Sequence, residues 1–356
     1  MKKSILAIVF VVAIVLVGCS DFSHEHSWKE TFRVDDTTTG EGEIVYVCIG
    51  CGEIVSKKGF LVKDEVELKN AIAVADASKP IYIMDDISLS ETVEINGGKS
   101  VEINLDGKTI SMKGLDAKKF AIVVDGEDSS LTIEGEGSIE TDKRIINVLN
   151  GGSLILNGGK YISKSHAIVA GSGLGSDPVS SGTIMVNKAT VEAQEFCLTA
   201  LADSKLIVNG GVFSSSDNAV IGTSGDGIFS SHSYDITING GEFNGKITTD
   251  GYIACGVYVA NSGKVTLNGG VFNIEGGVGI LVRSGELVAN KVEINLTKKS
   301  GLTEGKVGDS TIVITDGSQI VLDDKAGYPG SAPVVSENKT SYSVKDVNGT
   351  PITNAE

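Results

Sequence analysis

Leu154–Tyr161 reads LILNGGKY, Leu206–Phe213 reads LIVNGGVF, Ile236–Phe243 reads ITINGGEF and Val265–Phe272 reads VTLNGGVF. One pattern, apolar-x-apolar-Asn-Gly-Gly-x-aromatic, therefore recurs four times. Alternating apolar residues over a short run mark a strand. The Asn-Gly-Gly that follows marks a sharp corner, because glycine takes backbone conformations closed to other residues. Each copy thus describes a strand, a corner and the start of another strand. IMVNKATV at Ile184–Val191 and LVANKVEI at Leu287–Ile294 are weaker copies, and still weaker ones lie around Asp106, Glu134 and Asp316. From one asparagine-equivalent position to the next, Asp106 to Asp316, the steps are 28, 23, 30, 22, 30, 29, 22 and 26 residues. A period of that size is one coil of a solenoid.

Ahead of each corner lies a second apolar segment: HAIVA from His166, FCLTA from Phe196, NAVIG from Asn218, GVYVA from Gly256 and VGILV from Val278. Helical spacing is absent here. Each coil is predicted to hold two strands and a third short one after the aromatic. Equivalent strands of successive coils then pair in parallel at about 4.8 Å, so nine or ten coils make a rod of about 45 Å. Inward Val, Ile, Leu and Phe form one continuous core, and the corner asparagines bond to one another in a ladder. Tyr161, Phe213, Phe243 and Phe272 share one repeat position. They form either an internal stack or, if outward, a row on which sugars could stack.

An open solenoid end exposes its core and an edge strand, so both ends need caps. Asp64 with Glu67 reads as a capping box, and Leu68, Ala71, Ile72 and Ala75 share one face of a helix over Asp64 to Ala77. At the far end, Pro333 to Thr353 reads as a β-hairpin with its turn at Asn348-Gly349.

These repeats resemble the pectate-lyase-like right-handed β-helix superfamily. More narrowly they are similar to Gly-Gly-x-Phe repeat proteins of gut-type bacterial surfaces and some phage fibres, over about Phe60 to Leu322. The resemblance implies the right hand. The expected fold is therefore all-β: a right-handed parallel β-helix of about nine or ten coils over 57–325, with an N-terminal capping helix and a C-terminal hairpin in a cap over 326–356. Pectate lyases of that superfamily use a calcium-holding acid cluster with an arginine base. Its polygalacturonases use several aspartates, a Gly-His-Gly and an Arg-x-Lys. This sequence has neither motif, and Arg144 and Arg283 do not lie beside acids on matching strands. Its acid pairs, Asp85-Asp86, Asp125 with Asp128, and Asp323-Asp324, sit near predicted turns, where carboxylates are common. His166 and His232 read as surface residues. Cys197 and Cys255 lie two coils apart, about 9.6 Å, too far for a disulfide, and read as core residues.

The first twenty residues concern export. Lys2 and Lys3 precede an apolar run from Ile5 to Val17, too short to span a bilayer and suited to a secretory signal over 1–18. The run ends in Leu16-Val17-Gly18-Cys19, which resembles the bacterial lipobox. That resemblance implies a diacylglycerol on the Cys19 sulfur and cleavage before it, with further acylation, palmitate for example, at the new amino terminus. The formal net charge of -16 becomes near -18 once Lys2 and Lys3 are removed. Such a surface repels phosphate backbones and argues against nucleic-acid partners.

Between the leader and the repeats, over 19–56, lie His24-Glu25-His26-Ser27-Trp28 and Cys48-Ile49-Gly50-Cys51-Gly52. His24, His26, Cys48 and Cys51 are a nitrogen and sulfur set suited to tetrahedral Zn2+, with a tight turn expected at Gly50. A closed shell of four ligands would be structural. A disulfide between Cys48 and Cys51 is the other reading, since an exported chain tolerates one. The pattern is similar to a short ribbon-like module of bacterial cell-surface proteins, over about Ser23 to Val55. The expected function is a non-catalytic, membrane-anchored surface protein, adhesin-like or binding an extracellular polysaccharide or host glycan. A polysaccharide lyase or glycoside hydrolase acting on acidic glycans, and a structural component of the cell envelope, are the alternatives. The insertions Gly171–Ser181 and Gly222–Ser233 are the candidate walls of a binding groove.

Overall fold

The computed structural model describes residues 26–35, 40–76, 78–114, 116, 119–172, 179–223, 232–246, 255–259, 263–275 and 278–282, and beyond them the strands Gly285–Ala289, Val292–Thr297, Ile312–Ile314, Ile320–Leu322 and Tyr342–Asp346. Ile81–Ile83, Ile87–Leu89 and Val93–Ile95 make the first coil; Ser100–Asn104, Thr109–Met112 and Phe120–Asp125 make the second. Each further coil adds one strand to each of three parallel sheets, here named A, B and C in the order the chain visits them. Among the described residues sheet A has 13 strands, including three from an N-terminal ribbon, sheet B has 10 and sheet C has 9. The fold is a right-handed parallel β-helix, as strand–crossover–strand connections dictate.

Register is kept from coil to coil. Leu131 lies between Val101 and Leu154 in sheet A, Ile139 between Ile110 and Tyr161 in sheet B, and Ile146 between Ile122 and Ile168 in sheet C. A one-residue slip would turn every apolar side chain to solvent, so the buried face holds the register. Sheets A and B alternate buried and part-exposed residues, as in Thr183–Val186 and Thr190–Ala193. Sheet C differs in its middle coils: Ile168–Ala170 and Leu198–Ala200 are buried throughout, while Val93–Ile95 of the first coil still alternates. Its outer face carries a second apolar cluster of Phe120, Val169, Leu201 and Ala202. Burial on both faces is why these segments read as unbroken apolar runs.

The corner chemistry explains the repeat. At Asn268-Gly269-Gly270, a Cβ on Gly269 would lie 2.7 Å from the carbonyl oxygen of Asn239 one coil earlier, while Gly270 has φ +113°. The first glycine is there for close approach and the second for its left-handed backbone. The asparagines form the expected ladder: Asn187 Nδ2 donates to Asn157 Oδ1 (2.8 Å), Asn209 to Asn187 (2.7 Å), Asn239 to Asn209 (2.8 Å) and Asn268 to Asn239 (2.9 Å). Asn157 in turn donates to Glu134 Oε1 at 2.5 Å.

Glu65–Val74 is the capping helix, with Leu68, Ala71 and Ile72 buried on the first coil. Asp64 accepts from the Glu67 N–H at 2.9 Å, but Glu67 reaches back to the Lys63 N–H, at 2.8 Å, one residue before the N-cap. Glu65 ties the helix to the first coil, accepting from Lys69 Nζ (2.7 Å) and from the Ser90 N–H (3.0 Å) and hydroxyl (2.7 Å). The hydrogen bond from Lys69, helped by those from Ser90, pulls the Glu65 carboxyl down to about 2. A depressed folded value means this stability is whole above the unfolded carboxyl range and is lost as pH falls toward 2. Glu65→Gln is expected to lower the melting temperature at pH 7, with wild type and variant converging as pH drops from about 4.5 to 2. Thermal scans over that range check it; a gap that stays constant with pH refutes it.

At the far end, Tyr342–Asp346 pairs in parallel with Gly285–Ala289. The strand thus adds a rung to sheet A. The open edge of the last coil offers it an unpaired ladder of backbone groups. Asn348-Gly349 lies outside the described residues. At the near end, Trp28–Asp35, Glu41–Cys48 and Ile54–Val62 form an antiparallel ribbon. The other edge of Ile54–Val62 takes Ile81–Ile83 in parallel, Phe60 opposite Ile81, so the ribbon prolongs sheet A.

Candidate functional site

The ribbon brings the Cys-x-x-Cys to a knuckle. The Gly52 N–H donates to the Cys48 carbonyl (2.9 Å), the Cys48 N–H to the Glu53 carbonyl (2.8 Å) and the Ile49 N–H to the Ser27 carbonyl (2.8 Å). The turn spans Ile49, Gly50 and Cys51, as expected, and Gly52 after it has φ +75°. The left-handed step falls after the second cysteine because that is where the chain turns back into the third strand. Cys48 is buried, Cys51 half-buried and His26 exposed. The His26 ring stacks on Trp28 with centroids 5.0 Å apart and planes 11° from parallel. Its Nδ1 lies 3.6 Å from Cys51 Sγ and 3.5 Å from Glu53 Oε2. The donor atoms of His26, Cys48 and Cys51 all lie within 4.8 Å of one another, and the group can hold a metal ion. His24 and Cys19 lie outside the described residues.

A second feature lies on the outer face of sheet B. A groove of about 940 Å³ runs over five coils, lined among others by Glu192, Gln194, Ser214, Asp217, Asn244 and Asn273. Glu192, Ser214, Asn244, Asn273 and Asn295 are register partners on successive strands. Asn273 Nδ2 donates to Asn244 Oδ1 and Asn295 Nδ2 to Asn273 Oδ1, both at 2.9 Å. Gln194 Nε2 donates to Asp217 Oδ2 at 3.3 Å, and Lys160 pairs with Glu192 at 2.9 Å. This second asparagine row was legible: an asparagine follows the aromatic or its equivalent in FN at 243–244, FN at 272–273 and IN at 294–295.

The other singled-out residues do not converge. Tyr161, Phe213, Phe243 and Phe272 are all fully buried, so the aromatic row is an internal stack and no sugar platform. Asp85 and Asp86 lie at an A-to-B corner, and Asp125 and Asp128 at a C-to-A corner. Asp86 Oδ1 accepts from the Thr109 N–H at 2.8 Å and Asp125 Oδ1 from Asn150 Nδ2 at 2.7 Å. His166 Nε2 meets Glu195 Oε2 at 2.7 Å and stacks on Phe196; the hydrogen bond from His166 holds the Glu195 carboxyl below its ordinary value. His232 Nδ1 meets Asp203 Oδ2 at 3.0 Å and depresses that carboxyl in the same way. Cys197 and Cys255 are buried in sheet C, and burial pushes the Cys197 thiol far up, away from any nucleophilic role. Ser172 and Ser180 bridge the mouth of the first insertion, the N–H of Ser172 donating to the Ser180 carbonyl at 3.0 Å. Most of both insertions, Arg283 and Asp323-Asp324 lie outside the described residues. Comparison with protein-family models, with curated proteins and with solved structures finds no match to this chain.

Proposed function

We propose that this chain is an exported, envelope-anchored β-helical rod that binds a linear glycan along the outer groove of sheet B and does not cleave it. The observation that carries this reading is the in-register row Ser214, Asn244, Asn273 along that groove. An amide has two N–H donors and two acceptor lone pairs. Each link of the row uses one of each, so Asn273 keeps one donor and one acceptor for sugar hydroxyls. Coils rise by about 4.8 Å, close to the length of one pyranose ring in an extended chain. Successive rungs therefore meet successive sugars. The lipobox-like Leu16-Val17-Gly18-Cys19 supports the anchor, and the repeat resemblance supports a surface location.

Zinc at the knuckle is the structural part of the proposal. A tetrahedral ion with Zn–N near 2.0 Å and Zn–S near 2.3 Å holds nitrogen and sulfur about 3.6 Å apart. His26 Nδ1 and Cys51 Sγ are 3.6 Å apart. His26, Cys48, Cys51 and, by the sequence pattern, His24 would hold it, and a closed shell leaves no position for substrate.

The test is retention of the full-length protein on immobilised polysaccharides with calcium present, scored together with newly formed sugar ends. Asn244→Ala with Asn273→Ala is expected to weaken retention at least tenfold, about 1.4 kcal/mol, with an unchanged circular dichroism spectrum. Release of unsaturated or reducing ends would sink the non-catalytic reading. Retention that survives the double variant would move the site off sheet B.

A further inference from the structure

Among the described residues, ten large apolar side chains are exposed, and eight of them lie between Trp28 and Val74 at the N-terminal end of the rod. Scattered apolar exposure is ordinary; a concentration marks a contact surface. Four of the eight surround the knuckle: Trp28 is 41% exposed, Ile49 69%, Ile54 54% and Val55 37%. Pairing puts them there. Trp28 lies opposite Cys48, Val47 opposite Ile54 and Tyr46 opposite Val55, with Ile49 at the turn itself. A tight turn is served by Gly, Asn or Asp. An isoleucine there, bare to solvent, needs a reason outside the chain's own core.

The path of the chain supplies one. The sequence enters the ribbon at this same end, and only nine residue steps (28 − 19) separate Cys19 from Trp28. Their contour is at most about 32 Å. On the anchored reading proposed above, on which this inference rests, acyl chains on Cys19 keep the knuckle within reach of the bilayer. We infer that the knuckle tip, Trp28 with Ile49, Ile54 and Val55, seats in the interfacial layer of the phospholipid bilayer that holds the anchor. Indole belongs at that depth, with an apolar body and a polar N–H. The isoleucines add apolar area beside it. Acidic residues outnumber basic ones over 19–56 as well as on the body, and an anionic membrane surface repels both. Contact is thereby confined to the tip.

Trp28 is the single tryptophan of the chain, so intrinsic emission reports on this spot alone. Full-length protein isolated from its membrane is reconstituted into vesicles of phosphatidylethanolamine and phosphatidylglycerol carrying bromine on the acyl chains. The expected result is emission at shorter wavelength than in a fully exposed peptide, quenched at least twofold by the bromine. Ile49→Asp with Ile54→Asp, both at exposed positions, is expected to restore water-like, unquenched emission with an unchanged circular dichroism spectrum. Anchored protein whose Trp28 is unquenched would overturn the docking and leave the anchor standing. A wavelength shift without bromine quenching would mean that a second copy covers the tip, and would overturn it equally. Metabolic labelling with a clickable fatty acid, with Cys19→Ser as control, tests the anchor separately. If no label enters, flotation of the unlipidated protein on the same brominated vesicles decides: quenching supports the docking and its absence refutes it.

Discussion

Replacing Phe243 with alanine is expected to lower the stability of the central coils by about 3–5 kcal/mol, the range for a fully buried phenylalanine. Phe243 is fully buried and stacks between Phe213, with centroids 5.1 Å apart, and Phe272, at 4.6 Å. Its ring also lies under two corners: a Cβ on Gly241 would come within 3.2 Å of it, and one on Gly270 within 3.0 Å. Truncation removes the apolar area, breaks both stacking contacts and leaves a void. The void cannot close, because the backbone around it is fixed at the coil spacing by parallel ladders in three sheets. Phe243→Leu keeps most of the volume and is expected to cost about 1.5 kcal/mol. Urea unfolding followed by circular dichroism measures both. A solenoid unfolds as coupled coils and not as one unit, so the loss should show in the midpoint of the central transition. A loss below 1 kcal/mol for the alanine variant would contradict the internal stack.

What could be read from the sequence was what is local to one coil. The Asn-Gly-Gly corner carries its own reasons: one glycine for close approach, one for its φ, and an asparagine for the ladder. Each repeats with the coil, so the pattern and the fold are the same statement. The N-cap at Asp64 was equally local. The sequence left open what neighbouring coils or open edges decide. That Tyr342–Asp346 pairs with the open edge of Gly285–Ala289 is a contact between distant strands that Asn348-Gly349 does not announce. The aromatic row could face either way by sequence, and only the alternation of buried positions along sheet B turns it inward. The Asn244, Asn273 and Asn295 row depends on register between strands 29 and 22 residues apart, which no single copy displays. At the knuckle the residue types and the turn at Gly50 were legible, while the positive φ of Gly52 depends on the strand that follows.

Metal at the knuckle should reveal itself through a variant that is silent without it. Cys51 is half-buried, so Cys51→Ser leaves no large cavity and no deeply buried hydroxyl. In chelator, wild type and Cys51→Ser are therefore expected to melt together. With zinc at a thousand times the dissociation constant, wild type alone gains, by about 4 kcal/mol. Loss of a thiolate ligand should weaken zinc binding by more than the hundredfold typical of outer-shell changes. The gain concerns the ribbon and the first rung of sheet A together, because Ile54–Val62 runs from the knuckle to its pairing with Ile81–Ile83. Both ligand thiols must lose a proton to bind, so the gain should shrink as pH falls. Calorimetry with and without zinc, on both proteins and at two pH values, checks each step. A wild type that ignores zinc but loses stability on reduction would show that Cys48 and Cys51 form a disulfide instead. That outcome would leave the ribbon in place, held by a covalent staple, and would remove the metal from the account of the rod's first coil.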